Sequence, residues 1–73
     1  MELEKFVKNF AEQFDNTPAD QFNSQTIFKK LEEWDSLTAL SIIAMVDEEY
    51  SKRITGAEIR SSETIEDLFN LIK

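Results

Sequence analysis

The sequence contains neither cysteine nor histidine, which limits the ways in which so short a chain can be stabilised. Its 73 residues suffice for one domain at most, and a domain of this size buries only about 60% of the surface that its unfolded chain exposes. Without cysteine, the chain has no disulfide and no thiolate that binds zinc. We therefore expect residues 1–73 to form a single domain of marginal stability.

Apolar residues recur at helical spacing, and one glycine and one proline leave the chain with little punctuation. The first segment has an apolar stripe made of Leu3, Phe6, Val7, Phe10 and Phe14. The sequence DNTP, residues 15–18, is expected to end this helix because Pro18 disfavours the α conformation at Thr17. A second helix is expected from about Ser36 to about Ser51, with Asp35 as its N-cap.

Two further helical segments follow the second helix. Thr55 is a suitable cap for a short third helix in the sequence TGAEIRSS, although Gly56 lowers helix stability there. The fourth helix is expected to begin at TIEDLF, where Thr64 and Asp67 have the spacing of a capping box. Its apolar stripe consists of Ile65, Leu68, Phe69 and Ile72.

The connection between the first two helices, residues 15–35, is unusually long. It has about 20 residues, whereas connections in compact domains have a median of about 4–6. The connection contains four large apolar residues, Phe22, Ile27, Phe28 and Leu31. We therefore expect it to lie across the core. The predicted fold is all-α: a small four-helix bundle of three main helices and a short third helix, with a long loop between helices 1 and 2. The predicted interior comprises Phe6, Phe10, Phe14, Phe28, Ile42, Val46, Ile65, Leu68 and Phe69.

The charge balance indicates which partners suit the chain. Its net charge is −7, which repels nucleic acid and anionic lipid and suits basic protein partners. The longest wholly apolar stretch, Ile42 to Val46, is far shorter than the roughly 20 residues of a membrane span. Because the N-terminus also lacks a signal-peptide core, we expect a cytoplasmic protein. The acidic charge and the short apolar stretch lead us to expect no nucleic-acid or membrane partner, and we expect the chain to be a monomer. The acids at Asp47, Glu48 and Glu49 do not have calcium-loop spacing, and we predict no metal site.

The second helix carries more apolar residues than one buried face requires. A step of about 100° per residue places a set of apolar and aromatic residues on one side of the helix, namely Ala39, Ile42, Ile43, Val46 and Tyr50. Leu37, Leu40 and Ala44 fall on the other side, with Asp47 and Glu48 at the rim. One interpretation is that the bundle wraps around this helix and buries both sides. The other is that these five residues form a docking strip for a protein partner, since interfaces have apolar centres and polar rims.

Ser36 lies at the start of the same helix, and three roles suit a serine there. As a nucleophile of the protein's own it would need a neighbouring base, and without histidine only Lys29 and Lys30 lie near it in sequence. Self-activated catalysis is therefore disfavoured, and we expect that the chain is not an enzyme. As a helix cap, Ser36 competes with Asp35. As an attachment point for a phosphodiester, it would use the free N–H groups and the dipole of the helix N-terminus.

The sequence WDSL at 34–37, at the head of the stretch DSLTALSIIAMVDEEY (35–50), resembles the phosphopantetheine attachment motif of acyl carrier proteins. The resemblance covers most of the chain. A long loop with apolar anchors leads into the motif, and a helix ending in Asp47-Glu48-Glu49-Tyr50 follows it. An isoleucine, Ile54, a short third helix and the sequence TIEDLFNLI complete the similarity, the last being similar to the final helix of the family.

This resemblance implies a carrier that is modified by other enzymes. A phosphopantetheinyl transferase would move 4′-phosphopantetheine from coenzyme A to Ser36, and the arm would carry acyl groups as thioesters. The tether raises the effective concentration of the acyl group at each active site to which the domain docks. By the same resemblance, Asp35, Leu37, Asp47 and Glu48 are recognition residues, and the partners are acyl ligases or synthases with basic docking surfaces.

The chain departs from the family in the residues before the motif and within the acidic face. It reads Leu31-Glu32-Glu33-Trp34 where carriers usually have a glycine, and Thr38 and Ser41 stand where fatty-acid carriers often have acids. The resemblance implies that the carrier works in fatty acid, polyketide or another specialised biosynthetic pathway. The alternatives are a D-alanyl or peptidyl carrier, or a helical interaction module in which Ser36 is only a helix-start residue.

Overall fold

The computed structural model describes residues 2–73, which form four α-helices around one apolar core. The helices are α1 (Glu2–Ala11), α2 (Ser36–Tyr50), α3 (Gly56–Ser61) and α4 (Ile65–Ile72). The connection from α1 to α2 holds two single turns of 3-10 helix, Ala19–Gln21 and Phe28–Lys30. Within the described residues there is no strand beyond an isolated antiparallel bridge between Ile27 and Thr64. The prediction of an all-α four-helix bundle with a long first connection is confirmed.

The first helix is shorter than its apolar stripe predicted. It ends at Ala11, and Phe14 follows in a tighter turn whose N–H donates to the Ala11 carbonyl at 3.1 Å. Hydrogen bonds of this i to i+3 type commonly close a helix C-terminus. Phe14 is nevertheless only 7% exposed, so the stripe identified a core residue correctly and misplaced only the helix end.

The core is built largely from aromatic rings. Phe10 is fully buried, and its ring centroid lies 5.6 Å from those of Phe14 and Phe28 and 6.2 Å from that of Phe22. Phe6 is also fully buried and lies 5.6 Å from Tyr50. Such aromatic pairs add about 0.5–1.5 kcal/mol each beyond the area that they bury. The remaining buried apolar residues are Ile42, Met45, Val46, Ile54, Ile59, Ile65, Leu68 and Ile72.

Six positions differ from the predicted interior. Five residues that the predicted set omitted are buried, namely Phe22, Met45, Ile54, Ile59 and Ile72. Phe69 is only partly buried and packs against the edge of the core, with its ring 5.6 Å from that of Phe6. Met45 was not assigned to either face of α2 but is buried. On a helical wheel, Met45 lies at the boundary between the two faces of α2, where burial depends on which element packs beside the helix.

The long connection is fastened to the start of α4. The N–H of Ile65 donates to the Thr26 carbonyl at 3.2 Å, and the N–H of Glu66 donates to the Ser24 carbonyl at 3.0 Å. Both bonds lie on the same side of the antiparallel Ile27–Thr64 bridge. Of the predicted apolar anchors, Phe22 and Phe28 are buried and Leu31 is half-buried, whereas Ile27 is exposed. The connection therefore lies across the core as predicted.

Both short C-terminal helices begin with a complete capping box. The Thr55 hydroxyl accepts from the Glu58 N–H at 3.1 Å, and the Glu58 carboxylate accepts from the Thr55 N–H at 2.9 Å. Thr64 and Asp67 repeat this exchange at 3.1 and 3.0 Å, so the box predicted at α4 is confirmed. No helix within residues 2–73 has both the length and the apolar character that a bilayer crossing requires.

Candidate functional site

The start of α2 is capped by Asp35. Its side-chain oxygen Oδ1 accepts hydrogen bonds from the Thr38 N–H at 2.8 Å and from the Thr38 hydroxyl at 2.9 Å. These two bonds, the N–H bond first, hold the pKa of the Asp35 carboxyl below its ordinary value of 3.8. The predicted N-cap is thus confirmed, and Asp35 rather than Ser36 caps the helix.

Ser36 is the first residue of α2 and is exposed. The side-chain hydrogen bonds at this helix start join Thr38 to Asp35 and to the Glu33 carbonyl, and the Ser36 hydroxyl takes no part in them. A residue at this position lies beside backbone N–H groups that have no partner within the helix. The serine is therefore accessible, and the interpretation of Ser36 as the helix cap is wrong.

Lys29, one of the two lysines nearest to Ser36 in sequence, is engaged elsewhere. Its Nζ donates to the carbonyl oxygen of Arg60, in α3, at 2.7 Å. A general base must lie within hydrogen-bond reach of the proton that it removes.

Within residues 2–73, the acidic residues form no group of three or more that is placed to hold a metal ion.

The docking strip on α2 is open to solvent. Leu37 is 73% exposed and Leu40 is 61% exposed, and Ala44, Asp47 and Glu48 are exposed as well. The buried face of the same helix consists of Ile42, Met45 and Val46. The interpretation in which the bundle buries both sides of α2 is therefore wrong, and the strip presents two large apolar side chains beside Ser36.

A groove between α1 and α2 adjoins this strip, and the sequence did not predict it. It encloses about 270 Å³. Its lining residues are Asn9, Glu12, Gln13, Ser41, Ala44, Met45, Glu48 and Glu49. Three of these are acidic, and Glu12, just beyond the end of α1, extends the negative charge at the rim of the strip. Glu12 and Gln13 follow the last residue of α1, and only knowledge of the helix packing places them beside α2.

The segment before Ser36 is held by Glu33, a residue that no motif in the sequence marks as part of a site. The Glu33 carboxylate accepts hydrogen bonds from the N–H of Asp15 at 2.8 Å, the N–H of Asn16 at 3.0 Å and the hydroxyl of Thr17 at 2.7 Å. These bonds, led by that of the Thr17 hydroxyl, hold the pKa of Glu33 below its ordinary value of 4.5. The contacts join residues 16–18 positions apart in sequence, and no local pattern indicates such a pairing.

No family model, no curated protein and no solved structure matches the chain at a significant level. The resemblance to acyl carrier proteins therefore depends on the residues and motifs given above. The fold defines a class only at the level of a small, all-helical bundle.

Proposed function

We propose that this chain is an acyl carrier protein, with Ser36 as the attachment site of a 4′-phosphopantetheine arm. The observation that carries the proposal is the start of α2, where an exposed serine follows a cap made by Asp35 and precedes an exposed leucine. A serine needed only for capping would not be left free by a neighbour that already performs this task.

The surroundings of Ser36 suit a phosphodiester. A phosphate at the first residue of a helix faces unpaired N–H groups and the positive end of the helix dipole. Asp35 is negatively charged at neutral pH, since hydrogen bonds from Thr38 hold its pKa below an ordinary value of 3.8 that is already acidic, and it opposes a second negative charge by repulsion. Its role fits better with recognition by the transferase, whose Mg²⁺ ion attracts a carboxylate.

The arm supplies a thiol, which the chain itself lacks. This thiol holds acyl groups as thioesters, so that the domain carries cargo while other enzymes perform the chemistry. The service belongs to fatty acid and lipid metabolism, polyketide synthesis or another specialised pathway, with D-alanyl and peptidyl cargo as the alternatives. In this proposal the domain is a cytoplasmic monomer and is not an enzyme.

The partners would be the transferase and acyl ligases or synthases with basic docking surfaces. The exposed docking strip supports this assignment: Leu37, Leu40 and Ala44 offer apolar contact, and Asp47 and Glu48 attract positive charge. Apolar contact near the centre of an interface supplies most of the affinity, whereas rim charges mainly accelerate encounter and fix orientation.

A second candidate function is a helical interaction module without an arm. The exposure of Leu37 and Leu40 favours it because a strip of this kind binds a protein partner whether or not Ser36 is modified. The two candidates differ only in what happens at the Ser36 hydroxyl.

Thiol titration separates the candidates, because the chain has no cysteine and any protein-bound thiol must come from the arm. The protein would be incubated with coenzyme A, Mg²⁺ and a promiscuous phosphopantetheinyl transferase, and then freed of small molecules. The carrier proposal predicts one reactive thiol per chain in the wild type and in Ser41→Ala, and none in Ser36→Ala. A wild type without a reactive thiol would leave the interaction module as the better account.

A further inference from the structure

The Glu33 clamp is defined by the three hydrogen bonds that join the Glu33 carboxylate to Asp15, Asn16 and Thr17. The three donor–acceptor distances are 2.7 to 3.0 Å, and the bonds are charge-assisted because their acceptor is an ionised carboxylate. The donors lie just beyond α1, and the acceptor lies three positions before Ser36. The clamp therefore ties the end of the first helix to the start of the second across the surface.

Glu33 also contacts the first turn of α2 through its backbone. The Thr38 hydroxyl oxygen lies 3.2 Å from the Glu33 carbonyl oxygen and 2.9 Å from Asp35 Oδ1, so its single hydrogen is shared between these two acceptors. Ser36 thus belongs to a segment that is fixed on both sides. The carboxylate of Glu33 holds the segment to the turn after α1, and Thr38 holds it to the helix.

Trp34 fastens the same segment from the side of the core. Its ring centroid lies 4.8 Å from that of Phe28 in an edge-to-face arrangement, and 6.4 Å from that of Phe14. An interior of aromatic and aliphatic residues supports the fold independently, so loss of the clamp is expected to loosen residues 33–36 without unfolding the domain.

We infer that Glu33 is a positioning residue for reactions at Ser36. It acts through Asp15, Asn16 and Thr17, which hold the segment before Ser36 in the arrangement that a modifying enzyme binds. The inference rests on the proposed carrier function. When only a fraction of molecules has the binding-competent arrangement, the apparent affinity of the partner falls by that fraction. The chemical step, once the complex forms, is unchanged.

Glu32 provides a matched control for Glu33. It is exposed, carries the same charge and takes no part in the clamp. Glu33→Gln and Glu32→Gln remove one negative charge each, so they weaken the attraction of a basic partner to a similar extent. Only Glu33→Gln removes the charged acceptor from the three hydrogen bonds.

The first test is transferase kinetics at a temperature where all variants are folded by circular dichroism. Glu33→Gln is expected to raise KM for the carrier about 3- to 10-fold at unchanged kcat, and Glu32→Gln to leave KM within about 2-fold of wild type. Thr17→Val should raise KM as well, and the double variant with Glu33→Gln should show less than the product of the two effects. Equal KM values for the two glutamine variants would overturn the inference.

The second test needs no transferase, because Trp34 is the single tryptophan of the chain. Loosening of the segment exposes its indole, so Glu33→Gln and Thr17→Val should shift its emission to longer wavelength, and Glu32→Gln should not. Unchanged emission in all three variants would also overturn the inference. A wild type that the transferase cannot load would instead overturn the proposed function, and with it the reaction that Glu33 is proposed to assist.

Discussion

At the scale of single residues, adjacent side chains at the start of α2 divide their tasks. The Asp35 carboxylate satisfies the N–H of Thr38, and Ser36 keeps a free, exposed hydroxyl. Capping by aspartate typically contributes about 0.5–2 kcal/mol relative to alanine. The stability of this helix start therefore depends on Asp35, whereas the proposed chemistry depends on Ser36.

Replacement of Ser36 by alanine separates the two tasks. We expect Ser36→Ala to change the free energy of unfolding by less than about 1 kcal/mol, because the cap is intact. Asp35→Ala should lower it by about 1 kcal/mol, since the Thr38 N–H loses its acceptor. Urea denaturation of the two variants and the wild type measures both effects. A larger loss for Ser36→Ala than for Asp35→Ala would contradict this assignment of the cap.

Among the elements, α2 has one buried and one exposed face. Ile42, Met45 and Val46 face the core, whereas Leu37 and Leu40 are exposed. Together with the groove that α1 lines, the exposed face forms an apolar centre beside acidic residues. A partner with arginine or lysine around its active-site entrance is complementary to this surface.

Truncation of leucines in the docking strip tests which face they belong to. We expect Leu37→Ala to slow arm transfer by about 5-fold or more through lost contact, while the unfolding free energy changes by about 0.5 kcal/mol or less. Leu40→Ala should likewise leave stability almost unchanged. Ile42→Ala, on the buried face, should cost about 2–5 kcal/mol. Thermal and urea melts check these values, and a core-sized loss for either leucine would show that the strip is buried.

Charge reversal at the rim tests the electrostatic part of docking. We expect Glu48→Lys to slow arm transfer about 2- to 5-fold at low salt, mainly through slower encounter with a basic partner. The difference from wild type should shrink as salt rises, because exposed charges are screened over about 8–10 Å at physiological ionic strength. Glu4→Lys makes the same change beside a different groove and serves as the control. Equal effects of the two reversals would mean that net charge alone matters.

At the scale of the whole molecule, the sequence predicted the fold better than it predicted the contacts around Ser36. Periodic apolar residues and the Thr64–Asp67 box indicated helices because both signals are local in sequence. The Glu33 clamp joins residues 16–18 positions apart, and the groove needs two packed helices. The sequence also could not decide whether Leu37 is exposed or buried, since helical periodicity alone does not say how many sides of a helix are covered.

Acid is expected to destabilise the domain through three hydrogen-bonded carboxylates. The pKa values of Glu33, Asp35 and Asp67 lie below their ordinary values of 4.5 for glutamate and 3.8 for aspartate, through the hydrogen bonds of Thr17, Thr38 and Thr64 respectively. A lowered pKa stabilises the folded state above the ordinary value, and this contribution is lost as pH falls through the folded-state value.

The expected result is a melting temperature that falls as pH drops below about 4.5, the ordinary pKa of glutamate. Glu33→Gln should flatten this dependence relative to Glu32→Gln, since it removes one of the three carboxylates whose pKa is lowered by hydrogen bonds. Melting curves from pH 7 to about pH 3 measure it. Identical profiles for the two variants would contradict the link between the clamp and the acid response.

The most direct test of the carrier assignment is intact mass spectrometry after incubation with coenzyme A, Mg²⁺ and a phosphopantetheinyl transferase, followed by fragmentation of the product. We expect one added phosphopantetheine per chain, located on Ser36, and an unchanged mass for Ser36→Ala under the same conditions. An unmodified wild-type chain, or an arm on any other serine, would contradict the assignment.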